Sequence, residues 1–470
     1  MNHLSIVWWT LFAGALLSIG CQTKTQTPNV ILIVTDDQGW VDLGSYGSSD
    51  LSTPHLDSLA AHGLRFTDFY TAAASCSPSR AAFMTGMYPQ RVGIPGVLMP
   101  QSRRGLHPNE RTMAEMLKEL EYATACFGKW HLGHDSLHLP MSHGFDEYFG
   151  IPYSNDMTPD AVKNPNPPAR RHPPVPLVEG FATIELEPDQ SQLTRHYTER
   201  AVAFIESNRD TPFFIYLPHT FPHVPLFVSE AFAGQSNAGL YGDVIMEIDW
   251  SVGRIMETLD RLDLTENTLI IFSSDNGPWL VKGAHSGRTG PLREGKGTTF
   301  EGGHRVPLLM SWPGTIAPGV TDAMVSAMDI MPTVAEVTGA APGPFSFDGK
   351  SLVNVIKGDT SPHNALFFYQ GYQLHAVRSG RWKLHVPHHY RSIHGATLST
   401  PTFQGAYRRD SIGLSLFDLE SDIGETLNLA DTHPAIVDRL LGYVATMRKD
   451  LGDALTGTDG TNRRPSRLLE

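Results

Sequence analysis

Residues 29–35 (NVILIVT) form an unbroken aliphatic and β-branched run with no polar alternation. A strand with one wet face alternates apolar and polar residues. A continuous run suits a strand covered on both faces, as in parallel sheets with helices above and below. Such runs recur at residues 212–217 (PFFIYL) and 268–272 (TLIIF), with weaker versions at 122–127 and 306–311. Helical spacing lies between them. Met113, Met116, Leu117 and Leu120 stand at i, i+3, i+4 and i+7, and Ile245, Ile248, Val252, Ile255, Leu259 and Leu262 make a longer apolar stripe with charges opposite. Buried strands alternating with such helices predict an α/β fold with a mostly parallel central sheet flanked by helices.

A chain of 470 residues can hold one large domain or two unequal ones. Segment 341–347 (APGPFSF) reads as a break. Beyond it, shorter amphipathic stretches such as 376–384 and a helical pattern over 434–447 predict a smaller subdomain with an antiparallel sheet and a terminal helix. The expected boundaries are a main domain over residues 29–345 and a C-terminal subdomain over residues 346–470. Residues 159–176, rich in Pro with scattered Arg and His, read as a long surface loop.

Residues 4–19 are an apolar stretch of signal-peptide length, too short to span a bilayer comfortably. It ends in Ser18, Ile19, Gly20 and Cys21, which resembles a bacterial lipobox with Cys21 as the lipidated residue. Residues 1–21 are therefore expected to direct export, to a bacterial periplasm or to an outer membrane through a lipid on Cys21. The stretch has no preceding Lys or Arg, and Ser18 stands where Leu is usual, so cleavage of a plain signal nearby is the other reading.

The formal charge of −13 argues against nucleic-acid and anionic-membrane binding, which need a basic face. It leaves room for a small anionic substrate held by a local cationic cluster. Three cysteines, Cys21, Cys76 and Cys126, cannot build a disulfide framework. Cys126, inside the apolar run 122–127, is expected to be inert core. Cys76, in a polar segment containing Pro, is the reactive candidate.

Ligands of open α/β sheets bind beyond the carboxyl ends of the strands. Asp36 and Asp37 directly follow the first run, and Asp275 and Asn276 follow the run at 268–272. Lys129 and His131 follow the run at 122–127, and His219 and His223 follow the run at 212–217. Three carboxylates and an amide oxygen suit a hard divalent cation, Ca²⁺ or Mg²⁺, better than zinc. Each pair alone is an ordinary turn or cap; four strand ends supplying such groups to one rim is not. Pro78 suits a first helical turn, which would set Cys76 at a helix N-terminus, where anions are favoured.

Residues 76–86 (CSPSRAAFMTG) resemble the Cys-x-Pro-Ser-Arg signature of the type I sulfatases, arylsulfatase A-like members of the alkaline-phosphatase-like superfamily. Further segments are similar to that family: DDQG at 36–39, TPHLD at 53–57, GKWHLG at 128–133, GIPYS at 150–154, PHVP at 222–225 and DNG at 275–277. So are GK at 295–296, EGGHRVP at 301–307, LFDL at 416–419, and the pairs Gly424-Glu425 and Asn428-Leu429.

The resemblance implies that Cys76 is oxidised to formylglycine (3-oxoalanine) by a maturase, and that Asp36, Asp37, Asp275, Asn276 and the modified Cys76 ligate one Ca²⁺. The hydrated aldehyde would attack sulfur, forming a covalent sulfate ester as the alcohol departs, and its second hydroxyl would collapse to release sulfate. Arg80 would hold the hydrate and the metal-site charge, and Lys129 and Lys296 the sulfate oxygens. His223 would protonate the leaving oxygen, and His131 would orient the hydrate and help expel sulfate. Ser154 falls where arylsulfatase A-like members place a sulfate-contacting serine, and His285 is a candidate substrate contact. His134, His138 and His143 are expected to be ordinary polar contacts. The implied substrate is a sulfated polysaccharide or oligosaccharide.

Two other readings compete. The same superfamily contains phosphate and phosphonate monoester hydrolases, but its phosphatases usually carry a Ser or Thr nucleophile and additional Asp and His metal ligands, which this chain lacks. A non-catalytic glycan-binding protein would show gaps among the site residues, and none of the core positions is missing.

Overall fold

β1 spans Asn29–Thr35, and all seven of its residues are buried. Successive side chains point to opposite faces of a sheet. Val30, Leu32 and Val34 enter one core, and Ile31 and Ile33 enter the other. With both faces covered, no position along the strand calls for a polar residue. The computed structural model describes residues 27–159, 172–341, 343, 346–399 and 405–468. The expected export signal with Cys21, and residues 160–171 of the Pro-rich loop, lie outside these residues.

Among the described residues the central sheet has ten strands. After β1 they are β2 (Leu64–Phe66), β3 (Ala123–Phe127), β4 (Glu147–Gly150), β5 (Pro176–Glu179), β6 (Ala182–Leu186), β7 (Phe213–Pro218), β8 (Thr268–Ser274), β9 (Leu308–Ser311) and β10 (Gly319–Thr321). Their order across the sheet is β10-β2-β9-β8-β1-β7-β3-β4-β5-β6. The block β8-β1-β7-β3-β4 is parallel throughout. β9 runs antiparallel to both β8 and β2, and β5 and β6 are antiparallel at the opposite edge. The run at 306–311 thus supplies a buried strand of reversed direction. Burial on two faces makes parallel and antiparallel strands look alike in sequence.

One core packs α2 (Cys76–Thr85), α3 (Met113–Lys118) and α6 (Ile330–Thr338) against the sheet; the other packs α1 (Pro54–Ala61), α4 (Leu193–Ser207) and α5 (Gly239–Arg261). The stripe Ile245, Ile248, Val252, Ile255 and Leu259 of α5 is buried, each side chain contributing on the order of 1.5–3 kcal/mol. α3 starts on a capping box between Thr112 and Glu115 and stops at Lys118, before Leu120.

The C-terminal sheet joins β11 (Leu366–Gln370), β12 (Gln373–Ser379), β13 (Trp382–His385) and β16 (Ser415–Asp418), all antiparallel. Between β13 and β16 lies a two-stranded ribbon, β14 (His388–Thr397) with β15 (Ala406–Ile412). The stretch 376–384, expected as one strand, is instead a hairpin. Ser379 pairs with Trp382, and Gly380 turns the chain with φ +55. α7 (Pro434–Leu451) buries Val437, Leu440, Val444, Met447 and Leu451 in the core it shares with this sheet. No helix among the described residues is long and apolar enough to cross a membrane.

Candidate active site

The parallel register brings the polar strand ends to one level. Thr35 pairs with Ser274, so Asp36 and Asp275 leave neighbouring strands side by side, and Asp275 N–H donates to Thr35 O at 3.0 Å. The ends of β7 and β3 lie next to them. His219 N–H donates to Val34 O at 2.9 Å, and Lys129 N–H donates to Pro218 O at 2.8 Å. That approach requires glycine before Lys129: Gly128 has φ +138, and a Cβ there would lie 2.0 Å from Pro218 O.

α2 begins at the same rim. Ser75 is extended, Cys76 is the first helical residue, all ten residues are buried, and Gly86 ends the helix in a left-handed conformation. Cys76 Sγ lies 3.4 Å from Asp36 Oδ1 and 3.4 Å from Lys296 Nζ. One turn further along, Arg80 Nη2 is 2.8 Å from both Asp36 Oδ2 and Asp275 Oδ2, while its Nη1 donates to Lys129 O. Lys129 Nζ pairs with Asp36 and donates to Ser154 Oγ at 3.1 Å. On the other side, Asp37 Oδ1 accepts from Lys296 Nζ at 2.5 Å and from Asn276 Nδ2 at 2.6 Å.

These contacts set the charge states. Burial raises a carboxyl pKa, yet Lys129 and Arg80 hold Asp36 well below the usual carboxylate range. Asp37 has burial and the Asp36 charge against it, opposed chiefly by Lys296, and is pushed up to about 7. Asp275 also shifts upward through burial and Asp36. Lys296 stays above its ordinary value despite burial, because Asp37 and Cys76 face it. Burial pushes the Cys76 thiol up, so the unmodified side chain is a protonated thiol at neutral pH.

Burial lowers both site histidines, helped by Lys129 at His131 and by Lys296 at His223, which leaves each ring neutral. His131 Nε2 donates to Leu98 O at 2.9 Å, leaving its buried Nδ1 without a partner. His223 Nδ1 donates to Val224 O at 2.6 Å, leaving Nε2 3.7 Å from Asp37 Oδ2. Asp37 Oδ2 and Asn276 Oδ1 are also buried acceptors without donors. Acceptors meeting with nothing positive between them are costly unless a proton or cation intervenes. Ligand atoms of Asp36, Asp37, Cys76 and His223 all lie within 4.8 Å of one another, so the cluster could hold a metal ion. Asp275 and Asn276 stand beside it, tied to Arg80 and Asp37 respectively. Asp37 and His131 adopt φ +66 and +62, backbone conformations uncommon for residues other than glycine and concentrated at functional sites.

The family profile described as Sulfatase matches residues 28–340, and the profile described as the C-terminal region of aryl-sulfatase matches residues 361–466. The chain belongs to the sulfatase family. It is 40% identical over 456 residues to arylsulfatase A of Bos taurus, covering 93% of this chain and 89% of that one. It is 38% identical over 393 residues to N-acetylgalactosamine-6-sulfatase of Canis lupus familiaris, covering 80% of this chain and 75% of that one. Among solved structures, Ps i-CgsB in complex with k-i-k-neocarrahexaose superposes with a TM-score of 0.76 at 29% identity, covering 90% of this chain and 93% of that one. The protein is accordingly a sulfuric ester hydrolase with the alkaline-phosphatase-like fold of its family.

In this sulfatase the rim also contains residues that no sequence pattern singled out. Trp279 lies 5.7 Å, ring to ring, from His223, with Lys282 Nζ 4.2 Å and Lys296 Nζ 5.1 Å from its ring centre. Burial lowers Lys282, while Asp156 and Asp37 raise it, so it too faces the site. Their sequence signal was position alone: both follow Asn276 in the same strand-end loop. His285 ends that turn exposed, and Lys282 is its residue that reaches inward. Of the two histidines after β7, His223 joins the site, whereas His219 is buried with its Nε2 3.4 Å from Ser251 Oγ of α5. His138 pairs with Asp135, His143 lies tilted beside the Trp130 ring and His134 meets Tyr153. Cys126 is buried in β3 within the apolar core.

Proposed function

We propose that this sulfatase removes sulfate from sulfated polysaccharides or oligosaccharides, using a formylglycine made from Cys76 and one bound Ca²⁺. The observation that carries this reading is the setting of Cys76. It opens a wholly buried helix, 3.4 Å from both Asp36 Oδ1 and Lys296 Nζ, and burial keeps its thiol protonated. A thiol is a poor nucleophile there. A hydrated aldehyde would supply one hydroxyl for attack on sulfur and a second whose collapse frees sulfate without an external water.

Asp36, Asp37, Asp275 and Asn276, with an oxygen at position 76, make an all-oxygen set suited to a hard divalent cation, which would add positive charge against the sulfate. The buried orphan acceptors Asp37 Oδ2 and Asn276 Oδ1 support that fit. Arg80 bridges Asp36 and Asp275 and keeps the two carboxylates aligned. Lys129 and Lys296 approach from opposite sides and would hold sulfate oxygens as charge develops, with Ser154 beside Lys129. His223 Nε2 is the ring nitrogen that faces the site and, once it has taken up a proton, would pass it to the departing alcohol. His131 Nδ1, buried and unpartnered, would take the proton on the nucleophile side. Exposed His285 would contact the sugar from the rim.

Relatives named for an aminosugar sulfate and a neighbour bound to a neocarrahexaose support a carbohydrate substrate. The reading includes export, a maturase acting on Cys76, and a lipid at Cys21 as the one membrane attachment; these rest on sequence resemblance. Mass spectrometry of the Cys76 peptide, from protein made with a maturase, is expected to show the aldehyde. A panel of defined sulfated sugars is expected to release sulfate, and Cys76→Ala to release none. Unmodified thiol in active protein, or full activity in the variant, would overturn the nucleophile. Preference for aryl phosphate over aryl sulfate would overturn the ester.

A further inference from the structure

The ribbon β14–β15 carries three arginines, and two of them, Arg391 and Arg409, share one face. Arg391 and Arg409 are directly opposite in its register, on one face, and no acidic partner pairs with either among the described residues. Like charges directly opposite destabilise an antiparallel pair. With Thr298, His389 and Gly297 they line a cavity of about 770 Å³. One carboxylate, Asp410, also lines it, so the wall keeps a positive excess.

This cavity adjoins the reaction centre. Gly297 follows Lys296, and a Cβ on Gly297 would lie 1.7 Å from Arg391 Nη2, which puts the guanidinium against the backbone beside the sulfate-binding lysine. Arg391 also lies 5.3 Å above the ring of Tyr407. The Tyr407 hydroxyl is buried and feels both Asp37 and Lys296. The ribbon is fastened in this position. Ser392 Oγ and Ile393 N–H donate to Glu294 at 2.5 and 2.7 Å, and Arg293 Nη2 donates to Tyr390 Oη at 3.0 Å. A pair of unneutralised arginines held beside a site for an anionic ester matches a ligand with a second negative group.

We propose that Arg391 and Arg409 form a second anion subsite, which takes an acidic substituent of the saccharide (a second sulfate or a uronate carboxylate) beyond the sulfate being cleaved. The proposal rests on the sulfated-carbohydrate reading above and deepens it: the preferred substrate is a polyanionic saccharide.

The test is calorimetric binding to the Cys76→Ala protein of three disaccharides sharing one sulfate. One has a neutral neighbouring sugar, one a second sulfate and one a uronate. At least one acidic disaccharide is expected to bind about tenfold tighter than the neutral one, as one charge-assisted contact implies. The one that does so identifies the acid. Arg391→Gln/Arg409→Gln should erase that advantage and flatten the salt dependence; Arg409→Gln alone, at an exposed position, should remove part of it. Equal binding of all three, or equal weakening of all three in the double variant, would overturn the subsite alone. Failure of every disaccharide to bind would overturn the carbohydrate reading beneath it.

Discussion

Arg80 and Asp275 form a fully buried ion pair, in which Nε and Nη2 of the arginine both lie 2.8 Å from Asp275 Oδ2. The same Nη2 reaches Asp36 Oδ2 at 2.8 Å, so one planar guanidinium locks carboxylates from two neighbouring strand ends. Removing it leaves two buried charges short of a partner. Arg80→Met is expected to lower stability by about 3–5 kcal/mol in urea denaturation. Arg80→Lys keeps the charge but loses the fork, and should cost about a hundredfold in kcat/KM through misplaced carboxylates. Wild-type stability in Arg80→Met would refute the clamp.

Lys296 has one ammonium between Asp37 and Cys76, where charge would build on a transferring sulfate. Lys296→Met should reduce kcat on an aryl sulfate about 10²–10³-fold, the usual loss for one preorganised donor. A loss confined to KM would show that the lysine binds substrate without favouring the transition state.

The meeting of Asp36, Asp37 and His223 acceptors predicts stabilisation by a cation. Added Ca²⁺ is expected to raise Tm and a chelator to lower it, with about 2.7 kcal/mol gained at a hundred times Kd. Asp37→Asn removes one proposed ligand oxygen and takes the carboxylate partner from buried Lys296. Under chelator it should therefore melt below the parent, and lose the response to Ca²⁺. Identical Ca²⁺ shifts in both proteins would count against Asp37 as a ligand.

His219 is fully buried, and desolvation pulls it from its ordinary value of 6.5 to about 3. Between those values the unfolded chain binds a proton that the native chain does not. Its contribution is therefore complete above pH 6.5 and is lost as pH falls, by about 1.4 kcal/mol per unit within that window. His219→Gln should give a shallower acid slope in urea midpoints measured from pH 7 to 4.5. An unchanged slope would place the acid sensitivity elsewhere.

Lys383 Nζ lies 2.9 Å from Glu301 Oε1 and 3.0 Å from Glu425 Oε1, all three side chains fully buried. It ties the C-terminal sheet to the turn that follows the Lys296 segment. Lys383→Met leaves two carboxylates facing each other and should cost about 3–5 kcal/mol. Adding Glu425→Gln should recover part of that loss, because Glu425 is the carboxyl whose pKa burial already pushes up to about 7.

The core of the site was legible because its residues sit immediately after strands whose apolar runs are continuous. Asp36, Asp275, Lys129 and His223 each lie within a few positions of a run that reads as a buried strand, and parallel packing brings all such ends to one edge. Cys76 was legible through its motif. Trp279, Lys282, Tyr407 and the Arg391–Arg409 pair were not. They come from a loop and a ribbon whose register over Lys296 depends on contacts such as Glu294 with Ser392, formed between residues 98 positions apart.

By itself the sequence determined the α/β architecture, the buried strands and the residues at their carboxyl ends. Those follow from local patterns, an apolar run or a turn residue, whose physical consequence does not depend on distant chain. The tertiary structure alone decided that 306–311 runs antiparallel, that 376–384 folds back at Gly380, that His219 packs against Ser251 of α5, and that a ribbon from the C-terminal subdomain sets Arg391 against the backbone beside Lys296. Strand direction, side-chain facing and cross-domain contact are settled by which surfaces pack together, and that is a property of the folded chain as a whole.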